Sequence, residues 1–159
     1  MAFLTTNDFV TGRKPAPSPA GAEVLSVRFP LVITTANLAD LALNAIGQIG
    51  ELPPGCVPVG DVFFDMTDPD ASTAALVLQV GIWDGSSASL STAAADGGAH
   101  WGVSQATTAA ATQRMTHNGV AMASVQPAQS RRKIGLKVAT APTTAQACTI
   151  GVTVFYKAA

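Results

Sequence analysis

The side chains that could do chemistry in this 159-residue sequence are few: two histidines, a run of aspartates, one basic triplet and two cysteines. His100 lies in His100-Trp101-Gly102. His117 begins His117-Asn118-Gly119, which reads as a hairpin turn with Asn-Gly at its tip. Neither has the neighbours of a hydrolase triad, a nucleophile elbow or a zinc pair. Asp61, Asp65, Asp68 and Asp70 could offer oxygens to Ca²⁺. They lack the turn glycine and distal glutamate of a calcium loop, and aspartate around a proline is more often a backbone cap. Glu23 and Glu51 could join the aspartates in glycoside cleavage, but only Trp83 and Trp101 could serve as a sugar platform. Arg131-Arg132-Lys133 could meet phosphate or a partner's acids. Without interleaved aromatics or a GxxxxGK loop, a solvated turn or an ion pair across a protein interface is expected. Cys56 and Cys148 have no metal-site spacing and read as small buried apolar residues, their pairing left open. These residues predict no enzyme, no cofactor, no catalytic group and no metal site.

The composition points elsewhere. Hydrophobic residues make up 48% of the chain and charged residues 12%, about half the usual charged share. No apolar run reaches the roughly 18 residues of a membrane helix. The apolar residues come in short runs broken by Gly, Pro, Ser and Thr. An exterior so poor in charge is weakly protected against association, so neighbours in an assembly are expected to cover much of it. The alternative is a monomer with a neutral, hydroxyl-rich surface. A net charge of −1 and the absence of a polybasic tail argue against direct nucleic-acid binding. Met1–Val10 lacks the basic and apolar regions of a secretory signal, so assembly in a cytoplasm is expected.

The elements that would carry such a surface are strands. Leu25, Val27, Phe29, Leu31 and Ile33 alternate with polar residues, predicting a long half-buried strand, with Pro30 marking an edge or bulge. Residues 40–49 suit either period; Gly47 and Gly50 favour a strand. Leu52-Pro53-Pro54-Gly55 is a turn before a strand at Cys56–Met66. Further strands are predicted at Ala74–Trp83, Arg114–Val125, Arg132–Ala139 and Ala147–Tyr156. Gly85–Gln113 reads as a long Ala/Ser/Thr-rich loop, with one helical turn near Trp101–Thr108. About seven short strands without a sustained helix predict an all-β fold, a β-sandwich or barrel over residues 22–159.

Residues 1–21 differ from the rest. Pro15, Pro17 and Pro19 hold an extended, donor-poor chain, which predicts an N-terminal arm. Phe3, Leu4, Phe9 and Val10 are apolar anchors ahead of it, suited to a groove on a neighbour. With Trp83 and Trp101 as interface aromatics and Arg131 and Arg132 as ion-pairing groups, they form the expected partner-binding set.

The pattern from Leu52 onward resembles small structural proteins of tailed-phage virions. It is carried by Leu52-Pro53-Pro54-Gly55, the strand Ala75-Leu76-Val77-Leu78-Gln79-Val80-Gly81-Ile82-Trp83, and the Ala/Thr-rich middle. The endings Ile134-Gly135-Leu136-Lys137-Val138-Ala139-Thr140 and Ile150-Gly151-Val152-Thr153-Val154-Phe155-Tyr156 complete it. Cys148 departs from that pattern, where a glycine is expected, as does the proline-rich start. The resemblance implies a jelly-roll-like or related antiparallel β-sandwich that decorates or cements a capsid shell at the virion surface. Its implied partners are the major capsid protein and further copies of itself; a homo-oligomeric trimer would suit a three-fold site. A tail, neck or baseplate subunit, or a carbohydrate-binding adhesin module, is the alternative.

Overall fold

The alternation from Leu25 to Ile33 becomes β1 (Val24–Ile33), with Val27, Phe29, Leu31 and Ile33 buried and Ser26 and Arg28 facing out. The computed structural model describes residues 1–106 and 110–159. Among the described residues eight further strands follow: β2 (Ile46–Leu52), β3 (Cys56–Met66), β4 (Val77–Trp83), β5 (Gly102–Val103), β6 (Ala111–Arg114), β7 (Thr116–His117), β8 (Arg132–Thr140) and β9 (Cys148–Ala158). They form two antiparallel sheets, ordered β1-β9-β3-β6 and β2-β8-β4-β5-β7. The fold is thus the expected all-β sandwich of two antiparallel sheets. Buried Phe29, Leu31, Phe64, Leu78, Leu136, Val152 and Tyr156 fill the space between the sheets.

Pro30 sits on the edge strand, where its missing N–H interrupts no ladder. On the opposite side of the sandwich the chain passes from β6 through buried Met115 into β7, joining the two sheets. The Met115 amide donates to Val62 O (2.9 Å) and that of Asn118 to Trp101 O (2.9 Å).

Three local expectations change. Residues 40–45 are not strand: Thr35–Leu41 is a 3-10 turn, and Asn44 at φ 62° redirects the chain into β2. The stretch 114–125 breaks after His117. Its far limb coils into a 3-10 turn at Met122–Ser124, which lets Met122 and Val125 reach the core. The helical turn near 101–108 is replaced at its start by β5, because the amides of Trp101 and Ser104 donate to Val80 O (2.7 Å) and Leu78 O (2.8 Å). Its end lies outside the described residues.

The cysteines do not pair. Cys148 begins β9, whereas Cys56 lies opposite Ala158 at its end, about 30 Å away at strand rise. Burial raises the thiol pKa of both, that of Cys148 to about 11, with Asp68 adding to the shift.

Asp70, 1% exposed, ties the β3–β4 connection to the β8–β9 connection. It accepts hydrogen bonds from the amides of Thr143 (2.6 Å), Thr144 (2.9 Å) and Ser72 (3.2 Å). Desolvation opposes its ionisation, but the Thr144, Thr143 and Ser72 donors outweigh it and hold the pKa below the ordinary 3.8. A carboxylate with a lowered folded-state pKa contributes stability above its unfolded pKa, lost as pH falls through the folded one. The thermal midpoint should therefore fall on acidification below about pH 4. Asp70→Asn should lower it at neutral pH and flatten that acid limb; an Asn variant with an unchanged limb would exclude Asp70 as its source.

Candidate interaction surface

The two outer faces of the sandwich differ. On the β2-β8-β4 face, the chain after β4 folds back and covers the sheet. Leu90 packs with Trp83 and Ile46 as a second apolar cluster, and the Ser91 amide donates to Ile82 O (2.7 Å). Asp84 starts this cover by accepting the Ser86 and Ser87 amides (2.8 Å each), donors that lower its pKa to about 2. Arg132 closes it through Asp96 (3.2 Å), Ala95 O (3.2 Å) and Cys56 O (3.3 Å).

The β1-β9-β3-β6 face has no such cover among the described residues. Register places Arg28, Thr153, Phe63 and Arg114 in one cross-strand row, and Pro30, Gly151, Asp65 and Thr112 in the next. Phe63 and Phe155 meet edge-to-face on this half-exposed surface, with centroids 6.1 Å apart. Val24 and Val32 stand 52% and 55% exposed at the two ends of β1. The Arg28 guanidinium reaches over β9 to Asp65, Nε donating to Oδ1 at 2.9 Å. Gly151 lies directly beneath this pair, where any Cβ would collide with it. Asp61 is held by His117 (2.5 Å) and Arg114 (2.8 Å). The His117 hydrogen bond is the chief reason its pKa is lowered, against a smaller opposing effect of burial. Because these charges are already paired, covering the face strands none of them in a dry interface.

The residues expected to bind a partner are mostly committed internally. Phe9 is buried in the core, edge-on to Phe29 with centroids 4.8 Å apart. Phe3 packs on Gly47 of β2 and Val10 is half-buried, whereas Leu4 is 61% exposed. Trp101 is fully buried. Trp83 is nearly so, its indole N–H donating to Ser87 O (2.8 Å). Arg131 pairs with Glu51 (3.1 Å), and Arg132 is spent on the loop above. The burial of Phe9, Trp83 and Trp101 has one cause: a sandwich closing over an apolar residue satisfies it more completely than an exposed groove does.

The four aspartates also diverge. Asp61 and Asp65 take basic partners, Asp70 takes amides, and Asp68 accepts the Asp70 amide (3.1 Å) as an Asx turn. Among the described residues no three His, Cys, Asp or Glu side chains gather as a metal-ligand group. The surface aromatics Phe63 and Phe155 were legible only indirectly. Val62-Phe63-Phe64 and Val154-Phe155-Tyr156 are apolar triplets, and in a period-two strand the middle residue of each must face away from the core.

No protein-family model matches the chain, and no curated protein matches it. Solved structures do. A chain in the capsid of Ralstonia phage GP4 is 29% identical, with a TM-score of 0.71, over 97% of this chain and 97% of that one. A chain in the capsid asymmetric unit of cyanophage Pam1 is 20% identical, with a TM-score of 0.51, over 91% of each. From end to end, this chain is similar in fold to a capsid component of a phage.

Proposed function

We propose that this protein is a structural subunit of a phage virion that decorates or cements the capsid shell, docking through the outer face of the β1-β9-β3-β6 sheet. The observation that carries the reading is the match to the GP4 capsid chain, which is near full length in both directions. That correspondence makes the two chains nearly equal in length, a size suited to bridging subunits of a shell. The uncovered face supports it with a flat, charge-paired surface bearing two aromatics. A standard interface of about 800 Å² per partner, at roughly 25 cal/mol per Å² of apolar area, stabilises such docking. Many weak joints of this kind would share mechanical load across the shell. The other partners in this reading are further copies of the chain around a three-fold site.

The test is the double variant Phe63→Asp, Phe155→Asp, added to shells that lack the protein. Both rings are already half-exposed, so the variant should keep the wild-type circular dichroism and melting transition. Its occupancy on shells, read by co-sedimentation and image reconstruction, should fall at least tenfold, since central aromatic anchors carry most interface energy. A folded variant that decorates shells at wild-type occupancy would remove this face from the proposal. Failure of the wild-type protein to bind any shell would remove the decoration role itself.

A further inference from the structure

The Met1–Pro17 segment is built like a separable part. It runs along the seam between β1 and β2, the edge strands of the two sheets. Asn7 spans that seam: Nδ2 donates to Pro30 O of β1 (2.9 Å) and to Ile49 O of β2 (2.8 Å), while Oδ1 accepts the Phe9 and Val10 amides (3.0 Å each). The Asp40 carboxylate accepts the amides of Leu4 (2.8 Å) and Thr5 (2.7 Å), and Tyr156 Oη donates to Pro17 O (2.7 Å). The Phe3 amide donates to Ile46 O (3.0 Å). The connection from Ser18 to Glu23 is tied differently. It is largely exposed, turns at Gly21 with φ 61°, and is held by two long contacts, Glu23 N to Ala20 O (3.3 Å) and Ala20 N to Glu23 Oε2 (3.4 Å).

We propose that this strap is exchangeable, the seam between β1 and β2 accepting the Met1–Pro17 segment of a second copy of the chain. The contacts that hold the strap are short and depend only on strap and groove, so they are the same whichever copy supplies the strap. The strap must leave its groove for a time, which is why the chains are warmed. The closed and exchanged states then differ only in the weakly tied turn, across which Pro15, Pro17 and Pro19 keep the chain extended. A domain whose neighbours are held close, as in any dense array, would thereby be laced to them without new contacts.

The experiment uses the free full-length chain and needs no shell, so its outcome is separate from that of the capsid reading. Chains carrying Ala2→Cys and Ile46→Cys, bridged partners between strap and β2 in the fold, are prepared in two isotopic compositions and mixed. After warming below the melting transition they are oxidised, and the disulfide-linked peptides are weighed. At low concentration only same-isotope pairs should form. Near about 1 mM, the effective concentration of a short tether, about half of the straps should be exchanged and mixed pairs should make up about a quarter of the total. Native mass spectrometry of otherwise unmodified chains gives a second reading, mixed dimers that survive dilution. At concentrations where mixed pairs are still rare, Gly21→Val strains the turn and should raise the mixed fraction several-fold, whereas a dimer joined through the β1-β9-β3-β6 face would not respond to it. Same-isotope pairs alone at every concentration, or a mixed-dimer fraction indifferent to Gly21→Val, would overturn the proposal.

Discussion

Phe9→Ala is expected to destabilise the fold by about 3–5 kcal/mol, the range for truncating a buried aromatic. Phe9 is 7% exposed, stands edge-on to Phe29, and carries the Lys14 ammonium 5.1 Å above its ring. Truncation leaves a cavity at the seam between the sheets and removes the anchor that keeps Asn7 on both edge strands. The Leu4 and Thr5 amides should then leave Asp40, exposing a buried carboxylate that the strap had satisfied. Urea titration measures the loss, and hydrogen exchange should show Leu4, Thr5, Phe9 and Val10 amides opening together. A loss under about 1 kcal/mol, the scale of a surface substitution, would mean that the strap is an accessory and not part of the core.

Trp101→Ala should have an effect of the same size, about 3–5 kcal/mol. Trp101 has no exposure and joins β4 to the end of β7, its amide donating to Val80 O and its carbonyl accepting the Asn118 amide. Its indole N–H is buried with no partner among the described residues. Trp101→Phe discards that unpaired donor while keeping most of the apolar contact, so it should cost far less than the alanine variant. Denaturant midpoints of the two variants test this directly. If Trp101→Phe were as damaging as Trp101→Ala, the indole N–H would have to be contributing to stability. Neither variant alters the β1-β9-β3-β6 face, so Trp101→Phe should bind shells as the wild type does.

Much of the strand layout was legible because a half-buried strand writes its burial into the sequence with period two. Leu25 to Ile33, Leu76 to Ile82 and Ile134 to Val138 all follow it, and all three stretches are strand through most of their length. The signal failed where the chain changes sheets or turns into the core. Val120–Val125 has apolar content enough for a strand. Asn118-Gly119 nonetheless redirects it, and Met122 and Val125 pack better from a 3-10 turn. Residues 40–45 fail for a related reason: Asp40 is needed, buried, to hold two amides of a segment 35 residues earlier.

The candidate surface was less legible than the strands. Trp83, Trp101 and Phe9 look like interface anchors because large aromatics serve both interfaces and cores, and residue type does not distinguish the two. Phe63 and Phe155 became visible as an outward-facing pair once the register set Phe63 beside Thr153, two residues from Phe155 on the neighbouring strand.

The sequence by itself determined the class of this protein: low charge and short alternating apolar runs specify a β-sandwich with few ionised groups outside, and nothing in its residue spacing gathers catalytic chemistry. Only the tertiary structure decided which sheet face stays bare, and that the proline-rich beginning lies against its own domain. The physical reason is that alternation is a local property of one strand. Covering a face depends on contacts between residues far apart in the chain, such as Asn7 with Ile49 and Leu90 with Trp83.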